Sequence, residues 1–139
     1  KSIEILKKNN FLVIIITNQP DLSNGRLLEK EFRLMIEKIK KKLIIDDLFY
    51  CPHSKIDNCS CRKPRPGMIK LAAKKYEIDL KKSYMIGDRK IDIDAGHKAG
   101  CSTIYIKREY KEESPTNFNF IFNTLYNATN FIISNQKYV

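Results

Sequence analysis

At 139 residues and 42% apolar content, the chain is long enough to build one cored domain and too short for two. No apolar run approaches the roughly 18 residues of a membrane span and no secretory-signal pattern stands out, so a cytoplasmic protein with reduced cysteines is expected. A formal charge of +10 raises nucleic acid as a partner, but 20 of the 26 basic residues are lysines scattered along predicted helices without interleaved aromatics, which favours solvated faces over a stacking groove.

Residues 2–8 place Ile3, Ile5 and Leu6 among lysines and read as the end of an amphipathic helix closing at Asn9-Asn10. The run Phe11-Leu-Val-Ile-Ile-Ile16 follows. Unbroken and largely β-branched, it predicts a parallel strand covered on both faces. It stops at Thr17-Asn18-Gln19-Pro20. Ligands of open parallel sheets gather at the carboxyl ends of strands, where a Thr17 hydroxyl could bind a phosphate oxygen. The plainer alternative is that Thr17 ends a strand and Asn18 begins a turn.

Leu27, Leu28, Phe32, Met35, Ile36 and Ile39 recur at steps of three and four, so residues 27–42 form a helix whose terminal lysines suit its dipole. Residues 48–50 are a short strand, and residues 51–66 a loop. A helix opens at Pro66-Gly67 with Met68, Leu71, Ala72 and Tyr76 on its buried face, and Asp79 caps a turn beyond it. Residues 83–87 form a buried strand that delivers Asp88 to the same edge as Thr17. Asp92 then starts a helix that holds Ile91, Ala95 and Ala99, leaves His97 solvated and stops at Gly100. Asp88 and Asp92 can face a metal together, or they are simply the acids that a helix N-terminus attracts. Residues 101–106 are a strand with Cys101 as a core thiol, 107–117 a charged loop, 119–122 a strand, and 124–133 a closing helix built on Leu125, Tyr126, Ala128, Phe131 and Ile132. The pattern is that of a single doubly wound α/β domain, a parallel sheet with helices on both faces.

The loop carries its own chemistry. Cys51, His53, Cys59 and Cys61 bring three of the four cysteines and one of the two histidines into eleven residues. Three thiols and an imidazole are a donor set for structural Zn²⁺, favoured over unrelated buried thiols, and four protein ligands leave no open catalytic position. A metal that fixes Cys61 would also fix the direction of Arg62 and Lys63, turning a long loop into a rigid cationic arm.

Taken together, Val13-Ile-Ile-Ile-Thr17-Asn18-Gln19, Cys51-Pro-His53, Cys59-Ser-Cys61-Arg62-Lys63-Pro and Met85-Ile-Gly87-Asp88-Arg89-Lys-Ile-Asp92 resemble, in order and spacing, the haloacid-dehalogenase (HAD)-type phosphatases. The subgroup is that of heptose bisphosphate and histidinol-phosphate phosphatases. The resemblance implies a HAD-type, Rossmann-like sheet and an Mg²⁺-dependent phosphomonoesterase that works through an aspartyl-phosphate on a small phosphorylated sugar or amino alcohol, plausibly a heptose (bis)phosphate. It implies that Thr17 binds the phosphoryl group, Lys63 offsets its charge, Asp88 ligates Mg²⁺ and Asp92 orients groups around the metal. Thr17, Asn18, Gln19 and Pro20 would form part of the phosphate cradle, and Arg62 and Arg89 would touch the rest of the substrate.

Two departures qualify this expectation. Pro20 and Arg89 stand where relatives often carry Ser and Lys, and the nucleophile motif, an apolar strand ending Asp-x-Asp-Gly-Thr, does not appear. Asp92-Ile-Asp94-Ala-Gly96 imitates it by letter but lies in a helix. The missing strand belongs at the centre of the sheet, so these residues alone are expected to expose two strand edges across a gap and to be inactive. The rival class is a non-catalytic zinc-bearing module whose basic surface binds nucleic acid or an acidic partner.

Overall fold

In the computed structural model, which describes residues 1–136, the apolar run after Asn10 enters its ladder three residues later than expected. Asn10 takes a left-handed turn at φ 61°. The Asp46 carboxylate accepts the Val13 N–H at 2.7 Å and the Lys7 ammonium at 2.5 Å. The main chain of Asp46 in turn donates to the Val13 carbonyl at 2.9 Å. These bonds satisfy the start of the run outside the sheet, and strand β1 spans Ile14–Asn18. Thr17 therefore lies inside a strand rather than at its end, paired with Tyr50.

Helix α1 (Ser2–Lys8) precedes β1, and α2 (Glu29–Leu43), β2 (Asp47–Cys51) and α3 (Gly67–Tyr76) follow it. After a 3₁₀ turn at Leu80–Lys82 come β3 (Tyr84–Gly87), α4 (Lys90–Ala99), β4 (Ser102–Ile106), β5 (Phe120–Phe122) and α5 (Leu125–Gln136). Every strand pair is parallel. Among the described residues the ladders form two groups, β1-β2 and β3-β4-β5, with no hydrogen-bonded pairing between β1 and β3. β1 and β3 each have one edge without a ladder partner among the described residues. The expected span of residues 1–139 as one domain extends beyond the described residues.

Apolar packing nonetheless crosses the break on both faces. On one, Leu6 of α1 and Ala128 and Ile132 of α5 pack with Ile104 and Ile106 of β4, and Phe11, Val13, Tyr84 and Ile86 join them. On the other, Ile69 of α3 and Ala95 of α4 pack with Cys101, and the partners drawn in are Ile16 and Met85. The alternation of Ile86 and Met85 between these clusters is the period-two geometry of a strand covered on both sides.

Several predicted faces shift by one residue. In α3 the buried set is Met68, Ile69 and Ala72 while Leu71 is 55% exposed. A Cβ on Gly67 would sit 2.4 Å from the Ser60 carbonyl oxygen, so the helix start is pressed against the loop, and this fixes its rotation. In α4 the core residue is Ile93, not Ile91. In α5 Leu125 and Tyr126 are exposed, and Thr129 is buried with its hydroxyl donating to the Leu125 carbonyl at 2.9 Å. In α2 only Phe32 is fully buried, edge-on to Tyr50 with ring centroids 4.8 Å apart.

Asp47 ties α2 and α3 to β2. Its buried carboxylate accepts from Lys40 at 2.8 Å, Lys75 at 2.7 Å, the Tyr76 hydroxyl at 2.8 Å and the Leu48 N–H at 2.8 Å. Burial works against the charge, but these four donors outweigh it and hold the carboxyl well below the usual carboxylate range. No helix among the described residues is long and apolar enough to cross a membrane.

Candidate functional site

The loop after β2 brings its donors to a point. One ligand atom each from Cys51, His53, Cys59 and Cys61 lies within 4.8 Å of the others. Cys51 Sγ is 3.1 Å from Cys61 Sγ and 3.5 Å from Cys59 Sγ, and His53 Nδ1 is 3.2 Å from Cys61 Sγ. A tetrahedral ion with bonds of about 2.0–2.3 Å sets its ligands about 3.5–3.8 Å apart, so this donor set fits a thiophilic cation after small adjustment. Burial, followed by the Cys61 thiol, pushes Cys51 up to about 12. Burial opposes ionisation of Cys59, yet the Arg62 N–H and the neighbouring thiols bring it down to about 6. Cys59 is thus the thiol of the cluster most ready to ionise, and a cation is what would let the others follow.

The loop is braced from its own cationic stretch. Arg62 donates to the His53 carbonyl at 3.1 Å, and Arg65 donates to the Cys59 carbonyl and the Asn58 side chain. Arg62, expected to reach substrate, is thereby engaged with the loop that precedes it. Asn18 is engaged as well: its amide nitrogen donates to the Lys63 carbonyl at 3.2 Å, and its oxygen accepts the Lys63 N–H at 3.0 Å. Paired in both directions, it clamps the Lys63 backbone to the end of β1 rather than leaving its amide free for a ligand.

Lys63 is the joint between the two strand groups. Its ammonium donates to the Ile16 carbonyl at 3.1 Å and to Asp92 Oδ1 at 2.7 Å. Both side chains of the Lys63–Asp92 pair are nearly buried, at 11% and 10% exposure, so the pair is poorly screened by solvent. The other oxygen of Asp92, Oδ2, accepts the Arg89 N–H at 3.1 Å and caps α4. Both oxygens of Asp92 are therefore occupied by protein donors. One chain of bonds runs from the carbonyl before Thr17, through Lys63 and Asp92, to the amide after Asp88. These bonds link Lys63 both to β1, which bears Thr17, and to the turn after β3, which bears Asp88.

This convergence needs a glycine. A Cβ at Gly87 would lie 2.2 Å from the Asp92 Cβ and 2.7 Å from its carboxylate, so any larger residue would drive Asp92 away from Lys63. Thr17 Oγ1 accepts from the Gln19 amide at 3.0 Å, which holds the hydroxyl toward the turn that follows β1. Pro20 begins that turn, its carbonyl accepting the Ser23 hydroxyl at 2.9 Å.

Asp88 is partly exposed and its Oδ2 accepts the Tyr110 hydroxyl at 2.6 Å. That bond raises the Tyr110 phenol above its ordinary range. Mg²⁺ takes oxygen ligands in an octahedron and is usually held by one or two carboxylates plus phosphate and water. Asp88 offers one suitable carboxylate, so the residues present fit such an ion in part. Tyr110 escaped the sequence reading, although a single aromatic within the charged residues 107–117 was a signal for it.

The HAD-hydrolase-like family matches residues 60–128. A D-glycero-alpha-D-manno-heptose-1,7-bisphosphate 7-phosphatase of Photorhabdus laumondii is 37% identical over 133 residues, covering 86% of this chain and 73% of that protein. The beta-heptose counterpart of Escherichia coli K12 is 31% identical over 147 residues, covering 95% of this chain and 77% of that protein. Among solved structures, a D,D-heptose 1,7-bisphosphate phosphatase of B. bronchiseptica, complexed with magnesium and phosphate, superposes with a TM-score of 0.86. It is 26% identical, covering 96% of this chain and 80% of that one. The chain spans between 57% and 77% of the length of curated heptose-bisphosphate phosphatases that it matches.

Proposed function

The chain belongs to the HAD-like phosphatases, and from that premise we propose that it supplies most of the active site of a cytoplasmic, Mg²⁺-dependent phosphomonoesterase acting on a heptose bisphosphate. The observation that carries this reading is the bond chain from Ile16 through Lys63 and Asp92 to Arg89. It holds the Lys63 ammonium between the strand that bears Thr17 and the turn that bears Asp88, which supports a site drawn from all three. Relatives named for both anomers match the chain, so the proposal is for the sugar and not for one anomer.

Each group has a task. The Thr17 hydroxyl and the main chain of the following turn meet phosphoryl oxygens. Lys63, held by Asp92, places a fixed positive charge where the transferring group gathers negative charge, and it needs no rearrangement as the reaction proceeds. Asp92 is a positioning residue in this scheme because it acts through Lys63. Asn18 holds the Lys63 main chain. Asp88 is the residue of this chain that would hold Mg²⁺, which when bound offsets charge on the phosphoryl oxygens. The attacking carboxylate, in this reading, sits on a strand seated between β1 and β3, outside these 139 residues. Its attack on phosphorus breaks the ester P–O bond, releases the sugar hydroxyl with uptake of a proton, and forms an aspartyl-phosphate that water then hydrolyses to inorganic phosphate and the free carboxylate.

The Cys51, His53, Cys59 and Cys61 cluster is proposed as a structural Zn²⁺ site that stiffens the arm bearing Lys63. The closure of that cluster by four protein donors supports a structural over a catalytic role.

The test is phosphate release from heptose 1,7-bisphosphate and a panel of phosphomonoesters with Mg²⁺, using protein that carries its native upstream segment. Turnover of the heptose bisphosphate above the other esters is expected, and residues 1–139 alone are expected to give none. No turnover on any phosphomonoester by the extended protein would overturn the proposal. Elemental analysis should find about one zinc per chain.

A further inference from the structure

Beyond β4 the chain folds back over the start of α4, and residues 107–114 are all exposed until Pro115 is buried again. At its root, Arg108 donates to the Asn123 carbonyl at 3.1 Å and its own carbonyl accepts the Tyr105 hydroxyl at 3.3 Å. Across the span the contacts are polar. Tyr110 donates to Asp88 at 2.6 Å, and the Arg89 guanidinium lies over the Tyr110 ring, 5.3 Å from its centroid. Glu112 pairs with Arg89 at 3.5 Å and Glu113 with Lys90 at 2.7 Å. Asp88, Arg89, Arg108 and Tyr110 help line a narrow crevice of about 10 Å³ beneath the segment, closed by these contacts.

Two carboxylates of this segment thus neutralise two cations beside the residue proposed to hold Mg²⁺. A phosphate carries more charge than a carboxylate and can take an arginine fork through two oxygens. It would also repel Glu112 and Glu113. We propose that residues 107–115 form a strap released by anions: Glu112 and Glu113 occupy Arg89 and Lys90 until a phosphate-bearing ligand takes the cations over, and the strap then lifts Tyr110 from Asp88. The idea rests on the phosphatase reading of the Asp88 edge and adds to it a control on access. Strap and ligand compete for the same charges, so tight binding selects ligands with enough negative charge to displace two acids.

The strap carries three tryptic sites, Lys107, Arg108 and Lys111. Limited trypsin digestion of the intact protein, with fragments identified by mass, reads its release directly. Inorganic phosphate, compared with chloride at equal ionic strength, should speed cleavage after Arg108 and Lys111 about threefold or more. The pairs are solvent-exposed, with Glu112 and Glu113 at 52% and 71% exposure. Each such pair shifts an opening equilibrium up to about fivefold. Glu112→Gln combined with Glu113→Gln should therefore raise cleavage by a similar factor without phosphate and remove the response to it. A double variant cut at the wild-type rate overturns the strap, and so does phosphate that slows cleavage. A faster variant beside a wild type indifferent to phosphate overturns release by anions. If both proteolysis results hold and the extended protein turns over no phosphomonoester, the phosphatase reading fails and the strap stands.

Discussion

Two parts of this molecule gather polar side chains around a point, and they do so by opposite means. The cysteine loop draws its four donors from eleven consecutive residues, and its bracing hydrogen bonds from Arg62 and Arg65 begin and end within or beside the same stretch. The Lys63 junction draws on residues 47 and 29 positions away in the chain, Ile16 and Asp92, joined by a single ammonium. The first is organised by local chain geometry and a donor set that wants a cation. The second exists only because two strand groups without a shared ladder are held in one sandwich by apolar packing and by Lys63. A local site can survive damage to the sheet, and a distributed one cannot.

Removing the zinc proposed for the loop should give the largest effect. Chelation, or Cys61→Ser, is expected to cost several kcal/mol of stability, since binding to thiolates is coupled to ordering of the loop. Thermal unfolding followed with zinc analysis checks this; an unchanged midpoint would show that the loop holds itself without an ion. Next is Lys63→Met in the extended protein, with an expected loss of about a hundredfold in kcat at undisturbed stability of the loop. Asp92→Asn should do less, about tenfold, because the ammonium remains while its hold is loosened. Equal losses for the two would remove the distinction between the group that meets phosphate and the one that positions it.

Gly87→Ala sharpens the comparison from the side of the sheet. Its Cβ would overlap Asp92, and overpacking of this kind costs about 3 kcal/mol while leaving the zinc content intact. Asp47→Asn should cost about 2 kcal/mol at neutral pH, less than a fully buried pair because Lys40 and Lys75 remain partly in water. The sign with pH follows from its depressed carboxyl. The contribution is complete above the unfolded-state value near pH about 4 and fades as the pH falls toward the folded-state value, so wild type and variant should converge in acid. Denaturant unfolding at neutral and acid pH tests this.

The local features were legible. The cysteine cluster, the Gly100 stop, the Asp79 cap that accepts the Lys81 N–H, the solvated His97 and the order of helices and strands all follow from spacing, turn chemistry and periodicity. The lack of a ladder between β1 and β3 agrees with what the family resemblance implied, which spacing alone could not supply. Features that depend on rotation or on distant partners were not legible. Leu71 and Ile69 exchange roles because Gly67 is pressed onto Ser60, a contact no periodicity encodes. Asn18, Arg62 and Asp92 carry the residue types of ligand-binding groups, yet in the fold their atoms are taken by Lys63, the His53 carbonyl and the cap of α4. Composition and spacing determine which groups a chain can offer, because they act over a few residues along the backbone. Which of those groups remain free for a ligand is decided only after folding, because a donor or acceptor can be used up by any partner that packing brings within about 3 Å.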